Sequence, residues 1–175
     1  MTIKREAAYH EAGHAVLAHL SKFHGLGGSI NLGTYGAGIA PVCLSRSKLV
    51  NGGKNPDRTS RRDKEVAKDL AVILCAGLAA ERIAAEMDPT LTSDEECAIP
   101  DHEFMRQELK AAGLARYFDR HEQIARELLI ANWNQVSTVA ERLFAATKLS
   151  LDELDGILAN GNKILPNSAH RLSVM

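Results

Sequence analysis

Cysteine, proline and aromatic side chains are all scarce in this chain. Its 175 residues hold three cysteines, five prolines and a single tryptophan, and aromatics make up only 5%. Cys43, Cys75 and Cys97 are odd in number, widely spaced and lack a CxxC pair. That argues against a disulfide framework and against a cysteine-built zinc site, and it fits a reducing cytoplasm. The longest strongly apolar stretch, residues 70–80, is far shorter than the roughly 20 residues that cross a bilayer. Residues 1–6 are polar and lead directly into a patterned segment, so no signal peptide is expected. Neither sign of charge dominates. With 21 basic and 22 acidic residues the net charge is −1, which excludes a strongly basic nucleic-acid binder. No GK[ST] follows the glycines, so a phosphate loop is excluded as well.

What remains is an ordinary globular mix, 45% apolar and 25% charged. A chain of this length forms a core without structural metal, so any metal would serve chemistry. One domain is expected over residues 1–160, with a frayed tail at 161–175. Residues 4–23 read as a helix, with Ala8, Ala12, Ala15, Val16 and Leu20 at spacings of three and four and His24-Gly25 as the stop. Glycine-rich residues 28–44 read as short strands in a small sheet. Segment 37–44 is either a core strand or an edge strand able to take up a peptide by strand addition. Residues 45–63 read as a mobile basic loop, and the cluster Lys48, Lys54, Arg58, Arg61, Arg62 and Lys64 as a solvated surface or a docking site for an acidic partner. Ser60 and Asp63 make a capping pair for a helix over 64–87, whose Ala76, Gly77, Ala79 and Ala80 form a small-residue surface and which Asp88-Pro89 ends. An acidic loop follows. Pro100 then suits the first turn of a helix running to about Ala112, with Gly113 as stop. Helical spacing continues over 121–147, and Ser150 with Glu153 forms a capping box for a last helix over 151–159.

The chemistry lies in His10-Glu11-Ala12-Gly13-His14, an HExxH motif inside the first helix. Residues four apart share a helix face, so two imidazoles can grip one ion, and zinc is the usual choice. Glu11, one step round the helix, can take a proton from zinc-activated water and deliver it to a leaving amine. Gly13 sits mid-helix at a cost of about 1 kcal/mol relative to alanine, which points to close approach by another backbone. A catalytic zinc needs a third protein ligand. The extended HExxHxxGxxH pattern fails, because Leu17 and Leu20 occupy its later positions. Glu81, Asp94, Asp101 and His102 are the candidates, and chemistry alone does not choose among them. Asp101 would sit in the first turn after Pro100, where the helix dipole favours a carboxylate. Glu81 would orient a ligand imidazole through its free N–H. His19 and His24 read as structural.

His10-Glu11-Ala12-Gly13-His14-Ala15, preceded by Ala8-Tyr9, closely resembles the zinc peptidase domain of the FtsH-type ATP-dependent membrane proteases. The likeness continues through Cys75-Ala76-Gly77-Leu78-Ala79-Ala80-Glu81, the acidic stretch reaching Asp101, the helix with Trp133, Val136 and Ala140, and Leu149-Ser150-Leu151-Asp152-Glu153-Leu154. The resemblance implies a mainly helical α+β, zincin-like fold with a small sheet and a C-terminal helical bundle. It implies Zn2+ held by His10, His14 and Asp101, with Glu11 as catalytic base. The family's Ser-Asn-Asp-Leu reads Ile99-Pro100-Asp101-His102 here, which leaves His102 as competitor to Asp101. With the motif helix so near residue 1, no ATPase module is expected before it. A stand-alone metallopeptidase acting on flexible or unfolded polypeptides is therefore expected, with a separate ATPase or a homo-oligomer as partner and no nucleic acid. The alternative is a non-catalytic zinc-binding adaptor that keeps the fold.

Overall fold

The computed structural model describes residues 4–33, 38–114 and 118–159. The expected tail at 161–175 lies outside them, as does the first residue of segment 37–44. The chain is mainly helical with a little sheet, so it is α+β. Among the described residues no helix is long and apolar enough to cross a membrane.

Helix α1 (Arg5–Leu20) is the centre of the molecule. Every residue from Ala7 to Ala18 is buried, including His10, Glu11 and His14. A helix covered on all sides belongs to the core. It lies chiefly against α4 (Ala76–Met87) and α7 (Trp133–Ala146). At Gly13 a Cβ would come within 2.5 Å of the Ala76 carbonyl oxygen and 2.9 Å of Ala80 Cβ, so only glycine permits this crossing. On the α7 side Tyr9 stacks on Trp133, with ring centroids 5.7 Å apart.

The helix stops at Leu20, short of the expected residue 23. Asp69 provides the reason: its carboxylate accepts from the backbone N–H groups of Lys22 and Phe23 and from Ser21 Oγ, offering them partners outside the helix. Lys48 Nζ then takes the terminal carbonyls of Ala18 and His19 at 2.9 and 2.8 Å. His24 opens a strand rather than a helix stop, and its Nδ1 donates to Asp69 at 2.7 Å.

The expected sheet at 28–44 is two smaller ones. Strand β1 (His24–Leu26) pairs antiparallel with β4 (Val42–Leu44), in register His24 to Leu44. Strand β2 (Ile30–Leu32) lies between β3 (Gly38–Ile39) and the distant β5 (Lys148–Leu149). The chain between β2 and β3 is short, and it is the return of β5 that covers the other side of β2.

Residues 45–63 are not loop throughout. They hold α2 (Arg46–Asn51), capped by Ser45, and a 3-10 helix (Arg58–Arg62), capped by Asp57. Leu49 anchors the segment in a small apolar cluster with Phe23 and Val66. Asp63 alone caps α3 (Lys64–Leu74), accepting from the N–H groups of Glu65 and Val66, while Ser60 Oγ turns to the Asn55 carbonyl. The apolar stripe over 64–87 belongs to two helices, since Cys75 separates α3 from α4. Residues 121–147 likewise divide at Asn132 into α6 (Phe118–Ala131) and α7. The stripe survives both breaks because the core it faces is continuous.

Other expected signals fall where the sequence puts them. Helix α4 ends at Met87 before Asp88-Pro89. Helix α5 (Ile99–Ala111) carries Pro100 in its first turn, and Gly113 follows with φ +74°. Ser150 and Glu153 cap α8 (Leu151–Ala159) reciprocally, with Ser150 N donating to Glu153 Oε2 at 2.8 Å and Glu153 N to Ser150 Oγ at 3.3 Å.

Candidate metal centre

Helix α1 presents His10 and His14 one turn apart, their ring centroids separated by 4.8 Å. Helix α5 delivers Asp101 to them. Both Nε2 atoms lie 3.1 Å from Asp101 Oδ2, and the three ligand atoms fall within 4.8 Å of one another. These three residues therefore form a group able to hold a metal ion.

The far side of each ring is tied. His10 Nδ1 is 2.6 Å from Glu81 Oε1, and His14 Nδ1 is 2.8 Å from the Ile73 carbonyl oxygen. A carbonyl oxygen only accepts, so His14 Nδ1 carries a hydrogen, while its Nε2 is the ring atom turned to Asp101. The break at Cys75 makes this possible. Ile73 lies in the last turn of α3, where carbonyls lack their usual intrahelical partners. Two residues past the break, Gly77 meets the His10 ring so closely that any Cβ would overlap it. One interrupted helix thus backs both imidazoles.

Glu81 is only 2% exposed, and it uses both oxygens. Its second oxygen accepts the Asp94 backbone N–H at 2.7 Å, which ties the acidic loop to the site. The next residue, Arg82, bonds Glu95 of that loop at 2.8 Å and also Glu122 of α6. The loop leads straight into α5 and Asp101.

Electrostatics follow from this crowding. Burial favours a neutral His10, but hydrogen bonds with Asp101 and Glu81 outweigh it and lift its pKa to about 10. Burial also works against the Asp101 anion, yet the bonds from His10 and His14 hold its carboxyl well below the usual range. Glu11 is raised, first by burial, against the pull of His14 and His10. Glu11 is 5% exposed and packed under Gly38 so tightly that a Cβ there would overlap it, and the Ala40 backbone N–H slightly opposes the rise.

Of the candidates for a third ligand, Asp101 joins the two histidines. Glu81 stands behind His10. Asp94 offers its backbone N–H to Glu81 and pairs its carboxylate with Lys4 at 3.6 Å. His102 is not among the three grouped residues, and burial is the first cause of its lowered pKa. His24 is locked in its pair with Asp69, the structural role expected for it. Cys75 is buried with Sγ 3.5 Å from Met105 Sδ, and burial pushes its thiol up to about 12, leaving it inert. The Ile73 carbonyl, Gly38 and the Ala40 N–H were not legible beforehand. The first and last are backbone groups, which carry no residue signature.

No family model matches the chain, and no curated protein matches it.

Proposed function

We propose that this chain is a zinc-dependent metalloendopeptidase, an FtsH-like peptidase domain of zincin type. The observation that carries the reading is the convergence of His10 Nε2, His14 Nε2 and an Asp101 oxygen beside a buried Glu11. Two imidazoles and one carboxylate are the donor set of catalytic zinc sites that keep a position open for water or substrate. The donors fit such an ion: the Nδ1 atom of each ring is tied off, and the two Nε2 atoms and the Asp101 oxygen converge, so an ion would take the place of the hydrogens that now join them. Bound zinc would supply Lewis acidity to the scissile carbonyl and to the attacking water.

The chain's own residues do the rest. Glu81 and the Ile73 carbonyl hold the two rings in orientation. Glu11 is the proton carrier. Its carboxylate takes a proton from water and passes it to the departing amine. Burial raises its affinity for that proton, which suits the transfer near neutral pH. His10, Glu11 and His14 are nearly closed off, whereas Asp101 keeps 28% of its side chain exposed. So narrow an approach suits an extended segment rather than a folded surface, which supports flexible or unfolded polypeptides as substrates. A separate unfolding ATPase, or assembly of several copies, would present them. The unpaired thiols of Cys43, Cys75 and Cys97 suit a reducing cytoplasm.

The near-complete burial of Glu11 is also what a non-catalytic zinc-binding adaptor would show. Glu11→Gln separates the readings. The variant should bind zinc as the native chain does and lose cleavage of unfolded casein by roughly 10²- to 10⁴-fold. Full cleavage by zinc-loaded Glu11→Gln would end the peptidase mechanism. A native zinc-loaded chain that cleaves neither casein nor a peptide library would favour the adaptor.

A further inference from the structure

The ordered segment between β4 and α3 carries a charge arrangement that the metal centre does not use. Arg58, Arg61 and Arg62 of the 3-10 helix and Lys64 and Lys68 of α3 are all exposed. The acids interspersed with them are already engaged. Asp57 accepts from Thr59 N and Oγ1 at 2.8 and 2.5 Å. Asp63 and Glu65 hold Lys54 at 2.8 and 2.9 Å. Asp69 is half-buried and paired with His24 at 2.7 Å. The cations of residues 58–68 therefore form no ion pair among the described residues. In a chain of net charge −1 this is a local concentration of free positive charge.

The backbone gives that charge a spacing. A 3-10 helix rises about 2.0 Å per residue with side chains at i and i+3 eclipsed, which sets Arg58 and Arg61 on one edge about 6 Å apart. Alternate side chains of an extended strand point the same way about 6.6 Å apart. Acidic residues at every second position of an extended peptide thus match the two guanidinium groups, whose planar forks suit carboxylates. Beside them lies a polar depression of about 360 Å³ lined by Gly53, Lys54, Asn55, Thr59, Ser60 and Asp63. It offers hydrogen-bonding groups to a main chain.

We propose that this face docks an extended acidic polypeptide segment, with Arg58 and Arg61 gripping carboxylates at alternate positions and Arg62, Lys64 and Lys68 adding longer-range attraction. Other polyanions fit less well. Residues 45–68 contain no aromatic side chain on which a nucleic-acid base could stack. Their exposed large apolar residue is Val50, too little to anchor a membrane-surface helix.

The test uses the full 175-residue chain and fluorescence anisotropy with a labelled alternating Glu-Ala peptide. A Lys-Ala peptide, an oligo-dT and phosphatidylserine vesicles serve as comparisons. Binding of the Glu-Ala peptide should weaken as salt rises and fall roughly tenfold or more in Arg58→Glu/Arg61→Glu/Arg62→Glu. The milder Arg58→Gln/Arg61→Gln pair, with a native melting curve, should weaken it several-fold. The proposal is overturned by no binding to the native chain, by equal binding to a folded charge-reversed variant, or by tighter binding of oligo-dT or vesicles.

Discussion

Replacing Glu81 by glutamine changes one atom in a nearly closed space, and its effect can be worked from the bonds around it. Two donors face this side chain, His10 Nδ1–H at 2.6 Å and the Asp94 N–H at 2.7 Å. A carboxylate accepts both. An amide has a single oxygen and must turn its NH2 group toward one of the two donors. At 2% exposure water cannot substitute, so one buried donor is left unmade, which costs about 1–3 kcal/mol. For a domain of this size that is a fall in melting temperature of roughly 2–12 °C. His10 also loses an anionic partner. Partners of this kind change metal affinity by about 10- to 100-fold, equivalent to about 1.4–2.7 kcal/mol. Thermal unfolding in chelator reads the first effect, and competition against a calibrated zinc chelator reads the second. A variant that melts and binds zinc like the native chain would show that Glu81 neither holds the acidic loop nor orients His10.

Gly77→Ala places a methyl group inside the His10 ring, so the ring or α4 must shift. We expect a loss of about 1–3 kcal/mol in urea unfolding, together with weaker zinc binding. Native behaviour in both assays would mean that the contact between α4 and His10 is looser than described. Asp69 governs acid stability. Burial alone would raise its pKa, but bonds from His24 and Ser21 depress it in the folded state. Its contribution is thus complete above the unfolded aspartate value of about 3.9 and is lost as pH falls through the lower folded value. Asp69→Asn should therefore be less stable than the native chain at pH 7 yet lose less stability between pH 5 and pH 2. Parallel pH profiles for the two proteins would contradict that assignment.

The sequence resolved the parts of the molecule that side-chain periodicity and caps control. The motif helix, the stop at Asp88-Pro89, Pro100 in the first turn of α5 and the box at Ser150 and Glu153 all depend on local chemistry. The HExxH pair was legible because helical spacing alone brings His10 and His14 together. Other features depend on contacts between distant segments. The stop at Leu20 comes from Asp69, 49 positions on, which draws Lys22 and Phe23 out of the helix. The breaks at Cys75 and Asn132 leave the apolar stripe in phase, so no pattern reveals them. The carbonyl that orients His14, that of Ile73, lies in the last turn before the break at Cys75. The basic segment read as a loop because its helices are short and rest on a single anchor, Leu49. Asp101 could be singled out only by its place after Pro100 and by the family resemblance, since Asp94 and His102 offered comparable donors nearby.

The decisive measurement is zinc analysis of the purified protein combined with X-ray absorption at the zinc edge, for the native chain and for Asp101→Ala. One zinc per chain is expected, with two imidazole nitrogens at about 2.0–2.1 Å and one carboxylate oxygen, the oxygen disappearing and affinity collapsing in the variant. A native chain that takes up no zinc, or a first shell that is the same in Asp101→Ala, would contradict the metal centre formed by His10, His14 and Asp101.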